Sequence, residues 1–200
     1  MTNDYSKDFL IYFIFSFVIL FLIIFSIVFY PFVYDKFFGN KILENHIKEV
    51  LENKTDHKEA VPILLSWIHE NIYYPSKEEG LLTLDNGFGI YYINKSIRLF
   101  HRGIPASWVI KSKLGRCGED AQYFMEIMER LGYKTRKLKP TDWDHSWNEY
   151  YTEEGYKILV DPSSFQIIKN PKEWGANANW TKIEAIDING DIEDVSYEYR

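Results

Sequence analysis

From Phe9 to Phe29 the chain runs for 21 residues without a charged side chain, and only Ser16 and Ser26 interrupt the Phe, Ile, Leu, Val and Tyr. A helix rising about 1.5 Å per residue covers roughly 30 Å over that length, the thickness of a bilayer's hydrocarbon core. The sequence therefore predicts a transmembrane helix over 9–30, after a short tail, 1–8. A cleaved signal peptide would need a basic start, a shorter apolar stretch and a small-residue cleavage site. Here Asp4 and Asp8 stand against Lys7, and the exit reads Tyr30-Pro31-Phe32-Val33-Tyr34, an aromatic flank suited to the headgroup layer. Lys7 and the α-amine on one side balance Lys36 and Lys41 on the other, so charge leaves open which side the remainder occupies.

Beyond the apolar run, the chain has the size of one domain. Over 200 residues, Lys and Arg number 23 against 29 Asp and Glu, a net charge of −6. That lacks the electrostatic footprint of a nucleic-acid binder, and no nucleic-acid partner is expected. A single cysteine, Cys117, excludes an intrachain disulfide framework and any zinc site built from several thiolates. The five histidines show no ligand spacing, so neither metal nor cofactor is expected.

Residues 31–59 are polar, with Ile42, Leu43, Ile47, Val50 and Leu51 at helical spacing, and read as a juxtamembrane stalk. A domain is expected over 60–200. Its first helix is predicted from near Pro62 to about Asn71, because proline suits a first-turn position. Asn86-Gly87 marks a loop, and Ile90 to Leu99 fits strand or helix equally. After Gly115-Arg116-Cys117-Gly118-Glu119-Asp120, the apolar Phe124, Met125, Met128 and Leu131 recur at spacings of three and four, with Gly132 as a stop. Cys117 thus opens a helix. Downstream the period becomes two, in Lys134 to Leu138 and in His145 to Tyr151, and Glu153-Glu154-Gly155 turns the chain into a return strand, Tyr156 to Asp161.

A thiol at a helix N-terminus feels the partial positive charge of unpaired N–H groups, which favours thiolate; the first-turn acids Glu119 and Asp120 oppose this, so a basic partner is wanted. Folding the hairpin about residue 154 puts His145 opposite residue 162 or 163 and close to Asp161. Thiolate, imidazole and orienting carboxylate are the parts of a cysteine hydrolase. Taken singly, each has a blander reading: Cys117 as a small buried hydrophobe, His145 as a satisfied core histidine, Asp161 as a turn residue before Pro162.

Taken together, the motifs are more specific. Gly115-Arg116-Cys117-Gly118-Glu119, Asp144-His145-Ser146-Trp147-Asn148-Glu149-Tyr150 and Val160-Asp161-Pro162 resemble, in order, the three signature segments of the transglutaminase-like cysteine enzymes. The nearest likeness is to the catalytic core of peptide:N-glycanases. Ile68-His69-Glu70-Asn71-Ile72-Tyr73-Tyr74 looks like that family's entry helix, and Trp174-Gly175, Trp180 and Asp191 to Tyr199 are similar to its closing stretch.

The resemblance implies an α+β fold with a transglutaminase-like (papain-like) core, the cysteine helix packed on an antiparallel sheet. It also implies Cys117 as nucleophile, His145 as general base and acid, and Asp161 as the group that orients His145. Trp147 and Trp108 are candidates for a substrate cleft, Trp108 also as a second oxyanion donor, each against an ordinary core tryptophan. Two departures stand out: the two pairs of zinc-binding cysteines usual in these glycanases are missing, and Asp120 replaces a tryptophan. The expected function is a membrane-anchored amide hydrolase acting on a peptide, glycopeptide or protein through an acyl-enzyme. The alternatives are transglutaminase-type transfer to an amine and a non-catalytic binding module of the same fold.

Overall fold

The computed structural model describes residues 4–83, 88–168, 170–175 and 180–199; Asn86-Gly87, expected as a loop, lies outside the described residues. The apolar run lies in one helix, α1 (Asp4–Leu51), none of whose side chains from Phe9 to Phe29 is buried. Helix α1 continues through Pro31 to Leu51, although an interior proline costs about 3 kcal/mol. Its second half is held by packing. Leu43 and Leu51 are buried in the domain core, and Ile47 and Val50 pack against it. Nearby, His46 Nε2 lies 2.7 Å from the Tyr123 hydroxyl, Arg130 donates to Asn40 at 2.8 Å, and Ser107 donates to Asp35 at 2.6 Å. Residues read from sequence as a stalk thus supply one wall of the core, because their helical stripe of apolar residues is the face the domain covers.

Helix α2 (His57–Asn71) starts five residues before the expected Pro62, since Asp56 caps it by accepting from Lys58 N at 2.8 Å. A three-stranded antiparallel sheet comes next along the chain, formed by β1 (Gly80–Thr83), β2 (Phe88–Ile93) and β3 (Ser96–His101). The stretch that fitted strand or helix equally is therefore a hairpin. Its turn residues Asn94 and Lys95 both have positive φ, 51° and 63°, which matches the twist of two-residue hairpins.

Helices α3 (Ala106–Ser112) and α4 (Cys117–Arg130) succeed it, and α4 stops at Gly132, whose φ of 93° suits glycine. The larger sheet is antiparallel in the order β7-β6-β5-β4-β8-β9. Its strands are β4 (Thr135–Pro140), β5 (Trp147–Tyr151), β6 (Lys157–Asp161), β7 (Gln166–Ile168), β8 (Ile183–Ile186) and β9 (Ile192–Asp194), with a short helix α5 (Pro171–Gly175) between β7 and β8. The two faces of β5 and β6 serve different cores. Tyr150 and Val160 pack with the helices, while Trp147 and Leu159 join Leu138, Ile183 and Val195 on the far side.

Glu149 points away from the helices with a fully buried side chain. Arg136 Nε donates to its Oε1 at 2.6 Å, and Lys157 Nζ stands 3.5 Å from its Oε2. Removing one partner of a buried pair leaves an uncompensated charge. Arg136→Met is therefore expected to cost about 3 kcal/mol in urea denaturation of the detergent-solubilised chain. Glu193→Gln, at the exposed outer end of the same guanidinium, should cost under about 1 kcal/mol.

Candidate active site

The loop before α4 fixes where Cys117 stands. Tyr73 N donates to Lys113 O at 2.8 Å and Gly115 N donates to Tyr73 O at 3.2 Å, tying the loop to the end of α2. Gly115 is required by close approach: a Cβ there would come within 2.8 Å of Ile72 Cγ2 and 2.9 Å of Asp120 Oδ1. Arg116 is extended, so Cys117 occupies the first helical position, where its N–H has no acceptor within the helix. The Glu119 carboxylate accepts from Arg116 N at 3.1 Å and from Gly103 N at 2.9 Å, joining the start of α4 to the segment before α3. Asn148 Nδ2 donates to Ala121 O at 3.0 Å and Arg136 O at 3.4 Å, pinning α4 to the sheet.

The pairing Asn148↔Val160, continued outward, sets Trp147 opposite Asp161 and His145 opposite Ser163. Asp161 is then the diagonal neighbour of His145 on the same face, within reach of a ring. His145 Nε2 donates to Asp161 Oδ2 at 2.8 Å. That leaves Nδ1 free for a second partner, and the Cys117 side chain is near enough to raise the ring's affinity for a proton. The Cys117 thiol donates to Asp144 O at 3.9 Å. The three residues expected as a triad are thus brought together, with Asp161 almost fully buried and His145 partly so.

Burial is the largest influence on His145 and lowers its pKa. The hydrogen bonds and charges of Asp161 and Cys117 outweigh it and raise the imidazole to about 9. For Asp161 burial raises the pKa, but the bond to His145 and those to Ser163 and Ser164 overcome it and hold the carboxyl below its ordinary value. Asp161 Oδ1 accepts from Ser163 N at 3.1 Å, Ser163 Oγ at 2.8 Å and Ser164 N at 3.3 Å. These donors lie in a helical turn whose sequence, Pro162-Ser163-Ser164, carried no legible signal beyond its proline.

The first-turn acids behave differently from their expected role. Burial, then Glu119 and Asp161, push Asp120 up to about 8, so near neutrality it is mostly uncharged. Burial also raises Glu119. The negative charge that the sequence placed against a thiolate is thereby reduced.

Of the two candidate cleft tryptophans, neither lines the opening beside Cys117. Trp147 is fully buried; it stacks under the His145 ring at 5.9 Å and donates from Nε1 to Tyr199 Oη at 3.1 Å. It lies beneath the imidazole. Trp108 packs edge-on against Tyr30 and Tyr34 of α1, at 5.4 and 5.5 Å, because α3 leans on that helix. Among the cleft residues that sequence reasoning missed are Arg102, Lys137 and Lys139; for the two lysines, alternation on β4 was the available signal.

No family model matches the chain. The chain is 32% identical over 105 residues, half of its length, to a peptide-N(4)-(N-acetyl-beta-glucosaminyl)asparagine amidase of Drosophila melanogaster. It is 27% identical over 155 residues, 64% of its length, to the enzyme of the same name from Caenorhabditis briggsae. These stretches span 16% and 25% of those curated relatives. The homology is therefore to amidases, weak and partial. Among solved structures, the chain in full is similar to half of a chain in the crystal structure of Rad4-Rad23 crosslinked to an undamaged DNA, with a TM-score of 0.51 at 11% identity. That likeness concerns fold alone.

Asp161→Asn removes the charge facing His145. In NMR titration of labelled histidine, the His145 midpoint is expected near 9 in the native chain and at least one unit lower in Asp161→Asn. A raised folded-state pKa stabilises the fold below about 6.5, and that contribution fades as pH rises through about 9. The native chain should accordingly lose stability over that window, and the variant less.

Proposed function

We propose that the chain is a membrane-anchored, cysteine-dependent amide hydrolase with a transglutaminase-like catalytic domain, in which Cys117, His145 and Asp161 act as a triad. The observation that carries this reading is an imidazole bonded through Nε2 to a buried carboxylate, with the cysteine at a helix start near enough to raise its affinity for a proton. The homology to amidases supports the bond type.

The steps derive from the geometry. Cys117 Sγ, as thiolate, attacks the amide carbon, and the carbonyl oxygen takes up negative charge. The Cys117 N–H, unused by the helix, is placed to accept that charge as one oxyanion donor. Protonated His145 gives its Nδ1 proton to the departing nitrogen as the C–N bond breaks, leaving a thioester. His145, now neutral, takes a proton from water; the hydroxide attacks the thioester, and the acid leaves as the thiol re-forms. Asp161 keeps Nε2–H pointed at itself throughout, which fixes the ring so that Nδ1 faces sulfur.

A glycopeptide, whose glycan–asparagine amide is the bond named in the relatives' activity, is the first substrate to test, with ordinary peptides and glutamine side chains beside it. Transfer to an amine replaces water by the amine in the second half. A non-catalytic module that grips nucleic acid is the other reading, favoured by a structural neighbour crosslinked to DNA. The complete trio and the net charge of −6 weigh against it.

Anchoring is proposed through the exposed apolar half of α1. Exposure of large apolar side chains persists beyond Phe29 to Val33, Phe37 and Phe38, so the domain would sit directly at the lipid surface. Alkaline carbonate should leave the chain with the membrane pellet.

Incubation of the full chain with glycopeptides, glutamine peptides and amines, followed by mass spectrometry, tests the catalytic reading. Amide turnover is expected to fall at least about a thousandfold in Cys117→Ala and His145→Ala, and less in Asp161→Asn. The rate should decline as pH rises through about 9, where His145 gives up its proton. Turnover equal in Cys117→Ala and native chain would remove the proposal.

A further inference from the structure

A cleft of about 220 Å³ opens beside Cys117 between the start of α4, the segment Arg102-Gly103 and strand β4. Four basic side chains, Arg102, Arg116, Lys137 and Lys139, and two acidic ones, Glu119 and Asp144, line it. In a chain of net charge −6 this is a local inversion of sign. The two acids are already committed. Asp144 pairs with Arg102 at 2.5 Å, and Glu119 holds the Arg116 and Gly103 amides. Arg116 lies over the rings of Tyr74 and Phe100, at 5.4 and 5.5 Å.

The lysines are different. Lys137 Nζ donates to Gln122 Oε1 at 2.9 Å, a neutral acceptor, and makes no ion pair among the described residues. Burial depresses its pKa; the charge of Glu119 partly offsets this, Lys139, two positions along the same face of β4, lowers it again by repulsion, and Glu126 raises it less, so that the net shift is downward. An ammonium brought into a partly desolvated site beside another cation, with no carboxylate paired to it, is a cost that a negative ligand would remove. Cations on low-dielectric walls also concentrate such a ligand at the mouth of the cleft.

Resting on the assignment of Cys117 as nucleophile, we infer that this cleft receives a carboxylate carried by the substrate close to the amide that is cut, held by Lys137 and Lys139. The substrate is then an acidic peptide or glycopeptide. The space is too small for a duplex, and the charge outside it is of the wrong sign for one.

Alkylation of Cys117 by a neutral and an anionic reagent of nearly equal size reads the cleft without knowledge of the substrate. The full chain in non-ionic detergent is treated at pH 7 with iodoacetamide or iodoacetate, and labelling is followed by mass spectrometry. A cysteine in a short peptide gives the reference ratio of the two rates. The ratio of iodoacetate to iodoacetamide in the native chain should exceed the reference by about tenfold. It should fall at least about threefold in Lys137→Met and in Lys139→Gln, each variant's own iodoacetamide rate serving as its standard. Lys139 is exposed, so its replacement tests the charge even where loss of the more buried Lys137 disturbs folding.

A native ratio at the reference value, or one unmoved by both variants, overturns the carboxylate site and leaves Cys117 as nucleophile intact. No labelling by either reagent overturns the nucleophile, and the cleft proposal with it. Stronger protection by inorganic phosphate than by glutarate at equal ionic strength reassigns the cleft to a phosphoryl group and also overturns the carboxylate. Protection by a micromolar DNA duplex against both reagents overturns it in favour of nucleic acid.

Discussion

The site depends on one buried carboxylate remaining ionised. Asp161 is almost closed to water, a position that penalises its charge, and it keeps that charge through the imidazole on one oxygen and two amides and a hydroxyl on the other. The turn after β6 supplies those donors, and Pro162, with its φ fixed by the ring, closes the strand and starts the turn in the same residue. The charge then governs the rest of the site. It draws the imidazole into one orientation, raises its affinity for a proton, and so presents a cation to the sulfur at the start of α4.

Rigid neighbours hold the two halves of the site at a fixed separation. Asn148 reaches from β5 to a carbonyl of α4, and Trp147 on the other face of the same strand lies under the imidazole, itself held by Trp174, Trp180 and Tyr199. Adjacent residues on a strand point to opposite faces. Hence the tripeptide after Ser146 sets the helix on one side and the imidazole on the other, and a slip of one residue in register would destroy both contacts.

Legibility in the sequence tracked the range of the interactions. Periodicity disclosed α4, the two central strands and the hairpin, since each is written in residues close along the chain, and the hairpin's register predicted that His145 and Asp161 would meet. The resemblance ordered the three motifs and gave the α+β character. What escaped was set by distant contacts. α3 is too short to show a period; β7, β8 and β9 are edge or near-edge strands of three or four residues. The second half of α1 carried a correct helical stripe, but nothing in it says that Tyr123 and Trp67 wait on the other side. The packing of the two candidate cleft tryptophans was not legible either: Trp147 is fully buried beneath the imidazole and Trp108 lies against Tyr30 and Tyr34 of α1, contacts between residues distant along the chain.

The continuity of α1 bears on what the site can reach. A flexible stalk would let a catalytic domain sample a wide shell above a membrane. Here the helix that emerges from the apolar span is itself part of the core, fastened by Asp35 to α3, by Asn40 to the end of α4 and by His46 to its middle. Lys111 of α3 lies 3.7 Å from the Tyr34 ring centroid, adding a cation–aromatic contact at the level where the span ends. With the span in a bilayer, the domain cannot turn or rise without breaking these contacts, so the height of Cys117 above the lipid is set by α1 and not by diffusion. On the proposed reading, a substrate comes to that height, either tethered to the same membrane or extended enough to lie along it.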